Sequence, residues 1–90
     1  MPYIKQEDRN FFEGSVTDVR ADVRFKGHNM TPGILNYLFT KIAKEYVDTL
    51  GLSYQTINDV VGAFNCASNE FYRRVAVPYE IEKIKQNGDL

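Results

Sequence analysis

The feature that most constrains the fold is a run of apolar residues at helical spacing between Ser53 and Pro78. Members of this run recur every three or four positions and are Ile57, Val60, Val61, Phe64, Ala67, Phe71 and Val75. A strand would instead alternate every two residues. Ser53 is a good N-cap, and Pro78 has no backbone N–H to donate. The spacing therefore predicts one amphipathic helix, about 35 Å long, that ends before Pro78.

A second long helix is predicted from Pro32 to Leu50. Thr31 is a good N-cap, Pro32 suits the first helical position, and Gly51 suits the position just after the last turn. Its apolar face consists of Ile34, Leu35, Leu38, Ile42, Tyr46 and Leu50. Only the tight turn "LGLS" separates the two long helices, so we expect them to form an antiparallel pair.

The flanking segments are predicted to be helical as well. An N-terminal helix from about Gln6 to Phe25 is less strongly indicated, because Gly14 and several β-branched residues disfavour helix, and "DVRF" alternates like a short strand. "KGHNM" at 26–30 is predicted as a loop, and a short helix from about Tyr79 to Gln86 ends at "NGD". The fold class is therefore all-α, a helical hairpin with two flanking helices, in one domain covering residues 1–90.

Composition narrows the classes of partner. The chain has 90 residues, 43% of them hydrophobic, which suffices for one modest core, and its net charge is −1. This charge disfavours non-specific binding of nucleic acid or acidic membranes, since both require an excess of basic residues. The single Cys66 rules out an internal disulfide, and the absence of an apolar N-terminal segment or a run of about 20 apolar residues predicts a cytosolic protein without a membrane span.

Catalysis and metal binding are not supported by the sequence. His28 lies in a predicted loop and Cys66 in the middle of a long helix, and no third group is positioned to orient a base. Neither residue has a neighbouring ligand at helical spacing, as a metal site would need. We therefore expect a protein that is not an enzyme and that uses neither a cofactor nor a metal.

One side of the predicted long helix is polar but carries no charge. This asparagine stripe consists of Asn58, Gly62, Asn65, Asn69 and Tyr72, at spacings of four, three, four and three. Solvated helix faces normally carry charges, and asparagine is a mediocre helix former, so three in one stripe need a reason. Packing against another helix or a second subunit is one explanation, and contact with a ligand is another.

Next to this stripe, the segment "EFYRRVAVPYE" at residues 70–80 places two arginines between two tyrosines. Glu70 precedes Arg73 by three residues and Arg74 by four, so an ion pair with either is available. Glu80 and Glu82 could fold back to complete a purely structural network. Alternatively, one arginine binds a phosphate while Tyr72 or Tyr79 stacks on a base. The candidate binding residues are Arg73, Arg74, Tyr72, Tyr79, Asn65 and Asn69.

Several segments together resemble a family of small uncharacterised proteins of bacteriophages and prophages. These segments are "MPYIKQEDR" at the start, "TPGILNYLFT" at 31–40, "GLSYQTINDVVG" at 51–62, and "EFYRRVAVPYE" followed by "KIKQNGD". No motif of the resemblance falls between Asn10 and Met30. The resemblance implies an early or accessory phage protein in the cytoplasm of a host bacterium, and it supplies no activity and no site residues.

Two functional hypotheses follow. In the first, a non-enzymatic oligomer sequesters a phosphorylated or cyclic nucleotide signal of host immunity, a comparison with small helical phage proteins that rests on size and setting only. In the second, the same helix surfaces form a protein-interaction module that has no small-molecule ligand. Self-association is expected in both, because a short helical hairpin leaves apolar surface for a symmetric partner to cover.

Overall fold

The computed structural model describes residues 4–90, and every regular element in that range is helical. Its elements are α1 (Gln6–Phe11), α2 (Glu13–Lys26), a 3₁₀ turn (Gly27–Asn29), α3 (Pro32–Leu50), α4 (Tyr54–Phe71), a π-helical turn (Tyr72–Ala76) and α5 (Val77–Asn87). The predicted all-α class is confirmed, as are two long helices separated by a short turn. The first three letters of "MPYIKQEDR" lie outside the described residues.

The chain divides into two units, one up to Lys44 and the other from Glu45 onward. The boundary falls inside α3, whose last turn therefore belongs to the second unit. This second unit contains α4, the π-helical turn and α5, and with them every candidate binding residue.

The long helices begin where their capping residues predict. The hydroxyl of Thr31 accepts a hydrogen bond from the backbone N–H of Ile34 at 3.2 Å. At the other end of α3, Gly51 has a φ of +99°, a conformation that side chains with a Cβ rarely adopt. Ser53 caps α4 by accepting from the backbone N–H of Thr56 at 3.1 Å. Local sequence thus determines the ends of α3 and the start of α4.

Thr56 holds the turn between α3 and α4 together. Its hydroxyl lies 2.7 Å from the carbonyl oxygen of Gly51 and 3.0 Å from the backbone N–H of Ser53, which completes a reciprocal capping box. Nearby, the Tyr46 hydroxyl donates to a carboxylate oxygen of Asp59 at 2.9 Å. This hydrogen bond places the last turns of α3 beside the start of α4.

Removing the Thr56 hydroxyl should destabilise the turn. We expect Thr56→Val, which keeps the shape of the side chain, to lower the free energy of unfolding by about 1–2 kcal/mol, because the carbonyl of Gly51 and the N–H of Ser53 lose their hydrogen-bond partner. Urea denaturation measures the change. Thr49→Val, at an exposed position of α3, is the matched control and should change stability by less than about 0.5 kcal/mol. Equal effects of the two substitutions would contradict this role for Thr56.

Pro78 does not end the long helix, and this prediction is wrong. α4 continues through the π-helical turn into α5, so residues 54–87 form one helical run of 34 residues with Pro78 as the second residue of α5. A proline in a helix lacks its N–H and crowds the carbonyl four residues earlier, here that of Arg74. The wider π-helical turn, which ends two residues before the proline, accommodates both the missing N–H and the crowded carbonyl. The helix therefore continues.

The N-terminal segment also differs from its prediction. The expected single helix is broken at Phe12, whose φ of −101° and ψ of 4° lie outside the helical range. Phe11 and Phe12 stack edge to face there, with ring centroids 5.1 Å apart. The predicted loop after α2 contains the 3₁₀ turn, with Gly27 at a φ of +55°. Helical content in this segment was predicted correctly, and its interruption was not.

The modest hydrophobic core expected from composition is not formed. Among residues 4–90, no hydrophobic side chain is buried, and Thr56 is the one buried side chain. The apolar residues of α4 illustrate this: Phe64 is 40% exposed and Phe71 is 65% exposed. The helices of each unit therefore cover one another's apolar faces only in part, and residues such as Leu38 and Val60 are half-buried.

Candidate functional site

Glu70 joins the two arginines of the candidate site. One of its carboxylate oxygens accepts from Nη2 of Arg73, and the other accepts from Nε of Arg74. The carboxylate is mostly covered, with 17% of the Glu70 side chain exposed, whereas the arginine side chains are 70% and 68% exposed. The three groups carry a formal charge of +1. Glu70 thus fixes the guanidinium groups beside each other while leaving most of their surface in contact with solvent.

Tyr72 is linked to the next turn of the helix instead of to the arginines. Its hydroxyl donates to Oε1 of Glu80 at 3.0 Å. This hydrogen bond, followed by the negative charge of Glu80, raises the pKa of Tyr72 above 10.0, because both favour the protonated phenol. The same cause acts at the start of α4, where the hydrogen bond to Asp59 raises the pKa of Tyr46.

The two tyrosines allow a reciprocal test of these contacts. We expect Glu80→Gln to lower the pKa of Tyr72 toward 10.0 and to leave that of Tyr46 raised, and Asp59→Asn to do the reverse. Any stability that each contact contributes is present below pH 10 and is lost as the pH rises through the raised pKa of the folded state. NMR titration with ring-labelled tyrosine resolves the two groups. A Tyr72 pKa that does not respond to Glu80→Gln would contradict the contact.

The remaining charged groups near Pro78 form local pairs. Nζ of Lys83 lies 5.5 Å from the ring centroid of Tyr79, within the range of a cation–π contact. Lys85 pairs with Glu82 at 3.3 Å. Tyr79 therefore presents its ring to a lysine of its own helix, and Glu82 has a partner other than the arginines.

The asparagine stripe is exposed along α4. All four members of the stripe on α4 are exposed: Asn58, Gly62, Asn65 and Asn69. A Cβ built on Gly62 would meet no atom within 4 Å, so the chain itself does not use the space that this glycine leaves. Arg73 and Arg74 follow the stripe directly, so the candidate residues occupy one stretch of the helix and do not enclose a cavity of their own.

Other kinds of site are not indicated by the described part of the chain. Among residues 4–90 there is no cluster of three or more potential metal ligands. Two shallow hollows lie elsewhere, one beside Ile84 on α5 and one beside Val16 on α2. His28 lies in the 3₁₀ turn and Cys66 is half-buried in α4. No helix within residues 4–90 is long and apolar enough to cross a lipid bilayer.

Two contacts of the site go beyond what the sequence analysis indicated. Glu70 was expected to pair with either arginine, and it contacts both, because the i+3 and i+4 positions flank it on the same side of a helix. Glu80 was one of two acids that could fold back toward the arginines, and it accepts from Tyr72. Tyr72 and Glu80 are eight residues apart, which corresponds to two full turns only when one of the turns is a wider π-helical turn. Spacing alone therefore did not predict their hydrogen bond.

The fold and the site together define an all-α protein. Its α4 carries an exposed, uncharged polar stripe, and an arginine–tyrosine cluster follows in the π-helical turn and α5. The chain belongs to the DUF6899 family, a domain of unknown function, whose family model matches residues 1–90. Comparisons with curated proteins and with solved structures found no match. The expectation that the chain belongs to an uncharacterised family is thus confirmed.

Proposed function

We propose that this protein is a non-enzymatic interaction module whose working form is an assembly of several copies of the chain. The observation that supports this function is the absence of any buried hydrophobic side chain among residues 4–90. An amphipathic helix gains most of its stability by burying its apolar face, so an exposed face needs a cover. In α4 and the π-helical turn that face comprises Ile57, Val60, Val61, Phe64, Ala67, Phe71 and Val75, called here the apolar stripe.

Surface area supports the same function. The chain exposes 8069 Å², whereas a folded monomer of 10.4 kDa exposes about 5,400 Å². The excess is about 2,700 Å² per chain, or roughly 5,400 Å² for two chains. Obligate interfaces between subunits bury about 2,000–5,000 Å² or more. The surplus surface is therefore of the size that permanent association covers.

Analytical ultracentrifugation of the purified chain tests this function. We expect a species larger than the monomer at micromolar concentrations, and a thermal midpoint that rises with protein concentration, because assembly and folding are coupled. A monomer that unfolds cooperatively at a midpoint independent of concentration would refute the proposal.

A second candidate function is sequestration of a phosphorylated or cyclic nucleotide. Its support is the arrangement at Glu70, which holds two largely solvent-exposed guanidinium groups side by side with a formal charge of +1. Planar guanidinium groups suit phosphate oxygens, and Tyr72 and Tyr79 supply aromatic rings nearby on the same helix. In the phage setting implied by the family resemblance, such a protein would act in the cytoplasm of the infected bacterium and remove a nucleotide signal of host immunity.

Calorimetric titration with a panel of cyclic dinucleotides and ADP-ribose derivatives tests the second candidate. Binding should fall by at least about 100-fold in the double variant Arg73→Ala/Arg74→Ala, because hydrogen bonds to charged groups contribute about 1.5–3 kcal/mol each. Arg20→Ala/Arg24→Ala removes the same amount of charge from exposed positions of α2, in the other unit, and should retain most of the affinity. The absence of heat with every nucleotide would exclude this second candidate function. The proposal of an assembly would be unaffected.

A further inference from the structure

The spacing of the asparagine-stripe residues on α4 is symmetric, so it is the same from either end of the helix. Asn58, Gly62, Asn65 and Asn69 are spaced by four, three and four residues, and their midpoint lies between residues 63 and 64. Extending the series by four residues at each end reaches Tyr54 and Arg73. This spacing is compatible with an antiparallel pair of identical helices related by a two-fold axis, in which each residue meets the one at the same distance on the other side of the axis.

We propose that α4 pairs with α4 of a second copy of the chain, antiparallel, through the asparagine stripe. In this register Asn58 lies opposite Asn69 of the second copy, and Gly62 lies opposite Asn65. Amides both donate and accept, so asparagines facing each other can satisfy one another across a two-fold axis. The stripe carries no charge, and two identical copies therefore meet without repulsion between like charges.

Gly62 explains how the two backbones approach. A glycine in the interior of a helix costs about 1 kcal/mol relative to alanine, and nothing in the chain itself occupies the space beside it. In the antiparallel register, the side chain of Asn65 from the second copy fills that space. The glycine that weakens an isolated α4 thus allows a close contact between two copies.

The same register completes the arginine cluster with a residue of the second copy. Tyr54 is 88% exposed on its own chain, and it lies at the position opposite Arg73. A guanidinium group stacks favourably on a tyrosine ring, while Glu70 holds Arg73 from its own helix. Each pair of chains therefore contains two arginine–tyrosine clusters, and each cluster is incomplete in a single chain.

Pairing through the asparagine stripe also brings the apolar stripes together. The apolar stripe lies about 100° around the helix from the asparagine stripe, since Ile57 and Asn58 are adjacent in sequence. A two-fold axis perpendicular to the plane of the two helices leaves both apolar stripes facing the same side. The pair thus presents one broad apolar surface to the rest of the assembly. This inference rests on the proposed function and specifies which surface is paired and in which direction.

Cysteine crosslinking in a Cys66→Ala background tests the register. Asn58→Cys protein mixed with Asn69→Cys protein should form a disulfide under mild oxidation at least tenfold faster than either protein alone. In the antiparallel register, the two copies of residue 58 are about 11 positions apart along the helix, about 16 Å, which is too far for a disulfide. Tyr54→Cys with Arg73→Cys is a second pair with the same expectation, which serves if the first pair does not fold.

The outcomes separate this inference from the proposed function. Crosslinking of Asn58→Cys to itself as fast as to Asn69→Cys would indicate a parallel pair and overturn the inference. Equal, slow crosslinking in all samples, with the assembly intact by ultracentrifugation, would show that another surface is paired; the inference would fail and the proposed function would stand. A monomer in ultracentrifugation would refute both.

Discussion

Phe64→Asp should convert the assembly into largely unfolded monomers. Phe64 is the central aromatic residue of the apolar stripe and is 40% exposed on the single chain. Truncating a buried phenylalanine costs about 3–5 kcal/mol, and a carboxylate in its place adds the cost of burying a charge. We therefore expect the dissociation constant of the assembly to rise by at least about 1,000-fold.

Helix content should fall together with the assembly. The described residues contain no buried hydrophobic side chain to stabilise a dissociated chain, and isolated helices are marginal in water. Ultracentrifugation and far-ultraviolet circular dichroism measure the two effects on the same sample. A helical monomer would show that the helices are stable alone, which the exposed apolar faces do not predict.

Ala63→Asp is the matched control for this substitution. It introduces the same charged side chain one residue earlier, at an exposed position about 100° around α4 and outside both stripes. Its effect should be below about 1 kcal/mol. Equal loss of assembly in the two variants would mean that any added charge on α4 is disruptive, and the specific role of the apolar stripe would fail.

Local rules predicted the helices of this protein well. Thr31, Ser53 and Gly51 mark helix ends because their side chains or backbone conformations satisfy groups that the helix leaves unpaired. The apolar periodicity gave the helical class for the same reason, since it depends only on neighbours three and four residues apart. These features need no knowledge of tertiary structure.

Pro78 and the core show where local rules fail. The effect of a proline depends on whether the preceding turn can widen, and residues 72–76 do so. The expected core depended on composition, which counts apolar residues but does not say whether they are covered within one chain or between chains. Neither outcome could be read from spacing alone.

The candidate site shows the same division. The pairing of Glu70 with Arg73 and Arg74 follows from helical spacing, and it was available from the sequence. The hydrogen bond from Tyr72 to Glu80 depends on the π-helical turn, and it was not predictable from the sequence. Whether the exposed asparagines face a ligand or a second copy depends on contacts beyond the single chain, which the spacing within one helix does not specify.

Gly62→Leu should stabilise α4 in the single chain and weaken the pairing of α4 between two copies. Leucine is a better helix former than glycine by about 0.8 kcal/mol, and the single chain has space for a Cβ at this position. In the antiparallel pair, the larger side chain would collide with Asn65 of the second copy at two symmetric places. Overpacking costs about 1–3 kcal/mol at each, so we expect pairing to weaken by at least about 30-fold.

Gly14→Leu provides the comparison that isolates the contact between copies. Gly14 is the second residue of α2, and a Cβ at this position would meet no atom within 4 Å. Its replacement therefore also favours helix and leaves α4 unchanged. This variant should keep the Asn58–Asn69 crosslink that Gly62→Leu loses. If Gly62→Leu kept that crosslink at an unchanged rate, Gly62 would not lie at the close contact between the two backbones, and this explanation of the glycine would be refuted.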